Sequence, residues 1–343
     1  MSSTSLSLGP PTETPGSLFL RSQFLSPVQW PPSTTSLCGK SAIITGSSSG
    51  LGLEASRQML SLGLSTLVMA VRSVEKGEGI ASTFRTEYPD AKIMVWSLEM
   101  ESYVSIQAFV KKVETELLSL DIAILNAATQ TADFTTTKTT GHEMLLQVNY
   151  LSTALLGILL LPTLKKKCST APGRLTIVNS GTSRGASISE PPGKPLLASF
   201  DDKTKPWDPV ERYAVSKLLG HLFIVELVRH VRAEDVVVNL VDPGLVKGTD
   251  LQRGAPMLLG AFFTCMKAVM GRPVPVGAST YVDAAVLKGK ESHGSLVADW
   301  KVSPFAAFVY TPEGEAVRKQ LWEETLKEFE FGDVKGILEG LKK

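Results

Sequence analysis

The run SAIITGSSSGLGLEASRQMLSL, residues 41–62, decides the fold. Its first five residues are mostly apolar and β-branched, the composition of a strand covered on both faces. From Leu51 to Leu62 apolar residues recur at helical spacing. Between the two stands Thr45-Gly46-Ser47-Ser48-Ser49-Gly50-Leu51-Gly52, with glycines spaced GxxxGxG rather than GxGxxG. A strand that turns through glycines into a helix opens a βαβ unit. Gly46 permits the sharp turn, Gly50 lets a pyrophosphate approach the backbone, and Gly52 lets the helix lie close to the strand. Ser47 and Leu51 belong to the same turn, whose free N–H groups at the helix start suit phosphate.

Working outward, the pattern repeats. Short apolar runs at Thr66–Val71, Lys92–Ser97, Asp121–Asn126, Leu175–Ser180 and Val236–Val241 read as further strands. Helical segments lie near Val74–Arg85, Ser102–Leu118, Gly141–Leu164 and Val210–Val231. Strand and helix alternating at this spacing predict an α/β fold: one Rossmann-type domain, a doubly wound, mostly parallel sheet flanked by helices. Two segments break the alternation, 185–208 and 245–272. Both leave the carboxyl ends of strands, where such sheets bind ligands, so they are expected to form the substrate side. The domain spans 39–343. Residues 1–16, rich in Ser, Thr, Pro and Gly, are expected to be a disordered tail. Residues 17–38, with Phe19, Phe24 and Trp30, are expected to form a strap on the domain or an interface, with a homodimer one outcome.

Composition narrows the function. A net charge of +1 gives no electrostatic reason to expect nucleic acid or an anionic membrane. Cys38, Cys168 and Cys265 form neither a disulfide framework nor a zinc spacing, which fits a reducing, cytoplasmic setting. The four histidines form no ligand set, so no metal is expected. The longest apolar run, Ala154–Leu161, is too short to span a bilayer. A surface-attached helix within 256–270 leaves peripheral membrane association open.

The end of the second strand bears on the dinucleotide. An acid here would bond a ribose 2′-hydroxyl, but the chain reads Val71-Arg72-Ser73. Arg72 suits a 2′-phosphate through charge-assisted hydrogen bonds, with Ser47 and Lys76 as helpers. NADP(H) is therefore the expected cofactor. Glu99 after the third strand is placed to meet adenine. Asn126, followed by Ala127 and Ala128, would let the chain pass close to ribose and nicotinamide.

Tyr213-Ala214-Val215-Ser216-Lys217 opens an apolar helix. Tyr213 and Lys217 are four residues apart and share a face. A phenol with a pKa of about 10 is a poor acid–base at neutral pH, and a neighbouring ammonium would lower it. Ser180 ends the fifth strand and Asn149 lies on the preceding helix.

TGSSSGLG, LNAA, Asn149, Ser180, YAVSK and Asp242-Pro243-Gly244, in this order and spacing, resemble the short-chain dehydrogenase/reductase superfamily over roughly 39–290. The chain looks like its retinol-dehydrogenase-like branch and like fungal reductases of secondary metabolism. The resemblance implies Tyr213 as the acid–base and Lys217 as the group that lowers its pKa and binds the nicotinamide ribose. It implies Ser180 as the hydrogen-bond donor to the substrate oxygen, and Asn149 as holder of a relay water. Pro243 and Gly244 would lie near the nicotinamide, and Thr249 near its carboxamide. Departures are Leu125-Asn126-Ala127-Ala128 where the family has Asn-Asn-Ala-Gly, and Glu99 where Asp is usual. Counting from Arg174 selects Ser180 as the substrate hydroxyl, whereas anchoring on Ile177-Val178-Asn179 selects Thr182. Leu245, Met257, Leu258, Leu259, Phe262, Phe263, Met266 and Met270 would form either an apolar wall for a lipophilic substrate or simply a buried helix face. Two other functions stand beside the reductase: an alcohol-oxidising dehydrogenase, and a non-catalytic NADP-binding regulatory module.

Overall fold

Parallel strands in the order β3-β2-β1-β4-β5-β6-β7 form the sheet, and β8 closes it antiparallel to β7. The computed structural model describes residues 3–170, 172–188, 194–248 and 266–342. β1 (Ser41–Thr45), β2 (Thr66–Val71) and β3 (Lys92–Ser97) coincide with the runs expected from sequence. β4 (Ile122–Leu125), β5 (Gly173–Val178) and β6 (Val236–Asp242) shift by one or two residues. The chain winds outward from β1 to β3, returns, and winds the other way from β4. The reversal leaves a crevice between the carboxyl ends of β1 and β4.

Helices cover both faces. α3 (Gly50–Ser61), α4 (Val74–Glu87) and α9 (Val274–Val282) cover one, around Ile44, Met59 and Leu67. α5 (Tyr103–Glu116), α6 (Thr153–Lys167) and α8 (Pro209–Leu227) cover the other, backed by α10 (Pro312–Glu328) and α11 (Val334–Leu341). The stretch Leu146–Lys167 is the one helix among the described residues long and apolar enough to cross a membrane. Its apolar window is 89% buried within the protein, so it is a core helix of the domain.

Four features depart from the sequence expectations. The helix expected from Gly141 begins instead as a π-helix, Leu146–Ser152, after a turn bridged by Thr136 and Glu143. The segment 185–208 holds a short helix, α7 (Leu196–Phe200). β7 (Ser295–Ala298) and β8 (Lys301–Ser303) form a hairpin with Asp299 and Trp300 both at positive φ, as a two-residue turn of this hand requires.

The fourth departure is the amino terminus, expected to be disordered. Its described part is docked. α1 (Thr4–Ser7) lies on the hairpin with Ser5 fully buried. The Ser5 hydroxyl donates to Ser303 O at 2.6 Å and accepts from Leu296 N at 2.9 Å. The Tyr310 hydroxyl donates to Ser5 O at 2.7 Å. A low apolar content does not keep a segment loose when its hydroxyls and carbonyls complete buried hydrogen bonds. The strap at 17–38 then begins within α2 (Pro15–Leu25).

Candidate active site

The glycine turn is built by contacts that leave no room for side chains. Gly46 has φ +65 and Gly50 φ +57. A Cβ on Gly52 would stand 2.5 Å from Asn126 Nδ2 and 2.7 Å from Gly46 O. Asn126 is the reason: its amide donates to Thr45 O at 2.8 Å and Gly46 O at 3.3 Å, and its oxygen accepts from the Tyr281 hydroxyl at 3.0 Å. The Asn126 side chain is thus engaged beneath the turn, tying β4 to β1. At the start of α3, Ser49 makes no capping hydrogen bond. Ser47 Oγ is buried without a partner among the described residues. A buried hydroxyl left unpaired costs about 1–3 kcal/mol. A phosphate oxygen bound at the turn would satisfy it, so the residues present fit a dinucleotide pyrophosphate.

Two other expected cofactor residues lie on this rim. Arg72 follows β2, is exposed, and makes no ion pair among the described residues. Glu99 is turned onto its own loop, where Oε1 accepts from Glu101 N at 3.2 Å. Leu51 is half-buried on the first turn of α3. Thr249 lies outside the described residues.

The acid–base residues converge from three elements. Asp208 caps α8 by accepting from Val210 N and Glu211 N at 2.8 and 3.1 Å, and Pro209 occupies the first turn. That start fixes Tyr213 and Lys217 on the buried face, at 8% and 4% exposure. Ser180 ends the β5 segment and caps the 3-10 turn Gly181–Gly185. Its hydroxyl is near enough to the Tyr213 phenol to act on its pKa, and it accepts from the Thr182 hydroxyl at 3.0 Å. Thr182 itself is exposed. Burial pushes the Tyr213 phenol well above its ordinary range; the Ser180 hydrogen bond opposes this, and Asp242 adds to it. Burial also lowers Lys217, to about 8. Lys217 Nζ donates to Val178 O at 3.1 Å and stands 5.8 Å from the centre of the Tyr213 ring.

Asn149 sits inside the π-helix, an irregularity common at functional sites. Its carboxamide accepts from Thr129 N at 2.8 Å and donates to Thr129 O and Ser216 Oγ, at 3.0 and 3.1 Å. A cavity of about 10 Å³ lies between Asn149, Asn179, Ser216 and Lys217. That is about the least space that holds a single water.

Residues 40–191 match the family described as short chain dehydrogenase. The short-chain dehydrogenase/reductase mfmJ of Annulohypoxylon moriforme is 49% identical over 97% of both chains. This chain belongs to the short-chain dehydrogenase family. The short chain dehydrogenase virL of Hypocrea virens is 44% identical over 95% of both chains. Among solved structures, the Pseudomonas aeruginosa RhlG/NADP active-site complex superposes with a TM-score of 0.57 at 19% identity, covering 81% of this chain and 98% of that one. That likeness confirms the fold.

As a family member the chain is an oxidoreductase that binds a nicotinamide cofactor, and its β6 end carries contacts the sequence did not disclose. Asp242 Oδ1 accepts from Gly244 N at 2.9 Å, and Arg184 Nη2 lies 3.7 Å from Asp242 Oδ2. Pro243 is buried, and its carbonyl accepts from Arg272 at 3.1 Å. Arg272 is itself buried in an ion pair with Asp299 at 2.5 Å. Nothing in the local pattern around Arg272 signals this, because its partners lie in remote segments. Of the expected apolar wall, Leu245, Met266 and Met270 are half-buried. Met257, Leu258, Leu259, Phe262 and Phe263 lie outside the described residues.

Proposed function

We propose that this chain is an NADP(H)-dependent reductase that transfers a hydride between the nicotinamide and a carbonyl or alcohol carbon of a lipophilic small molecule, in fungal secondary metabolism. The observation that carries the reading is the buried Tyr213 phenol, one helical turn from the buried Lys217, whose Nζ stands 5.8 Å from its ring. The bound nicotinamide supplies or takes the hydride. The protein's own residues handle the oxygen and its proton.

In the reductive direction Ser180 and Tyr213 hold the carbonyl oxygen. Tyr213 Oη gives up its proton as the carbon gains hydride, so an alcohol and a phenolate result. Burial favours the protonated phenol, which is the form that donates. The Lys217 ammonium, when charged, stabilises the phenolate left behind. The one-water cavity beside Lys217 and Asn149 gives a route for the returning proton. Arg72, exposed and without an ion pair among the described residues, supports recognition of a 2′-phosphate. The half-buried Leu245, Met266 and Met270 support an apolar substrate. With Leu146–Lys167 serving as a core helix, the proposed location is cytoplasmic.

The test is Tyr213→Phe, which keeps the ring and removes the proton. NADPH oxidation with hydrophobic ketones should fall about 10²–10⁴-fold, while NADPH affinity is kept. Ser180→Ala should also reduce turnover, and Thr182→Ala should change it little. Activity retained in Tyr213→Phe would remove the catalytic assignment.

A further inference from the structure

The turn after β6 is held by a helix that precedes the family's matched region, which begins at residue 40. α2 turns its polar side inward. Ser22 is buried and Gln23 half-buried, whereas Leu20, Phe24 and Leu25 are 53%, 55% and 75% exposed. Leu18 and Phe19 are half-buried, so apolar contact helps to seat this helix, and hydrogen bonds from its polar side position it.

The Gln23 carboxamide makes three of them. Its oxygen accepts from Leu245 N at 3.0 Å, and its nitrogen donates to Leu245 O at 2.9 Å and Met270 O at 2.8 Å. One amide thus reads both backbone groups of a single residue. Arg272 secures Pro243, two residues before Leu245, donating to its carbonyl oxygen at 3.1 Å and, through its other terminal nitrogen, to Ser22 O at 2.5 Å. Gly244 lies between these anchors with φ +74. A Cβ there would stand 2.6 Å from Gln23 Oε1 and 2.9 Å from Arg272 Nη1. Helix and turn are fitted to each other at that glycine. Asp242, at the same strand end, is close enough to raise the Tyr213 pKa, so the turn adjoins the acid–base group.

We propose that Gln23 is a positioning residue for hydride transfer: its carboxamide fixes the Pro243–Leu245 backbone against which the nicotinamide is seated. The inference rests on the function proposed above and adds a site residue from outside the family's matched region. The carboxamide is the group that suits the place. It offers one acceptor and two donors, where a carboxylate would set a negative charge against two carbonyl oxygens.

Gln23→Ala and Gln23→Glu in the full chain test it by four readings. These are amide exchange at Leu245 without cofactor, NADPH affinity by fluorescence titration, the unfolding midpoint, and kcat and KM against pH. Gln23→Ala should speed Leu245 exchange, weaken NADPH binding about tenfold and lower kcat, with a midpoint shift of no more than about 3 °C. Gln23→Glu should be worse than Gln23→Ala at about pH 8 and recover as the pH falls and its carboxyl regains a proton. Faster Leu245 exchange with unchanged NADPH affinity and kcat would reduce Gln23 to an anchor of the helix and overturn the proposal. So would Leu245 exchange left unaltered. Exchange and cofactor titration need no turnover, so they stand even if Tyr213 proves not to be the proton donor.

Discussion

Replacing His142 with Gln should remove a pH-dependent part of the stability. His142 lies in the loop before the π-helix, its side chain 15% exposed. Nδ1 stands 2.8 Å from Asp201 Oδ2 and Nε2 3.2 Å from Glu328 Oε1. Burial by itself lowers the imidazole pKa, but the hydrogen bonds and charges of the two carboxylates outweigh it and push it up to about 9. Asp201 Oδ1 also accepts from Glu143 N at 2.7 Å, and Glu328 Oε1 from the Tyr103 hydroxyl at 3.1 Å. The imidazolium therefore ties the loop to the ends of α7 and α10 and to the start of α5. A folded pKa above the unfolded value of about 6.5 means that the folded state holds the proton more tightly. The contribution is complete below about pH 6.5 and is lost as the pH rises through about 9. At ~1.4 kcal/mol for each pH unit, the difference corresponds to about 3 kcal/mol. Asp201 and Glu328 are 26% and 28% exposed, so screening reduces the measurable effect to about 2 kcal/mol. Urea unfolding at about pH 6 and about pH 9.5 measures it in both proteins. The wild type should lose about 2 kcal/mol more than His142→Gln across that interval. Equal losses would show that the carboxylates do not hold a charged imidazole.

Two further outcomes are expected. Unaltered protein should bind NADPH more tightly than NADH, and Arg72→Asp should erase or reverse the preference in a cofactor fluorescence titration; equal affinities in the unaltered protein would refute the reading of Arg72. Ser5→Ala should cost about 1–3 kcal/mol in urea unfolding, because Leu296 N–H and Ser303 C=O lose a buried partner. Unchanged stability would mean that the Ser5 hydroxyl does not help hold α1 on the hairpin.

The parts of the fold legible in the sequence are those whose cause is local. β1 and β2 could be bounded because strands buried on both faces have a composition of their own, cut off by Gly46 and Arg72, while β3, at the sheet edge and only partly buried, still shows as a short apolar run. The hairpin of β7 and β8 was not visible. Its strands have four and three residues, too few for any periodicity to declare itself. The π-helix was read as ordinary helix because its seven residues are all buried, which leaves no polar face to betray the changed winding.

The site divides along the same line. Tyr213 and Lys217 are four residues apart on one helix, so a spacing rule finds them. The choice between Ser180 and Thr182 could not be made by counting, because either hydroxyl lies near the end of β5. They differ in burial: Ser180 is half-buried and accepts from the Thr182 hydroxyl, while Thr182 is exposed, which supports the proposal of Ser180 as the substrate hydroxyl. Asn126 was placed at the carboxyl end of β4, but the sequence could not show that Thr45, Gly46 and Tyr281 engage its carboxamide. Gln23, Arg272 and Asp299 lay beyond reach. Gln23 and Leu245 are 222 positions apart, and each reads locally as an ordinary polar or apolar residue. The misreading of the amino terminus has the same root. Counting apolar residues measures how much area a segment can bury, but it is blind to donors and acceptors that distant strands have left unpaired. Ser5 and Gln23 are held by such groups, so a polar, Pro-containing segment becomes part of the domain through hydrogen bonds that its few apolar residues, such as Leu6, do not announce.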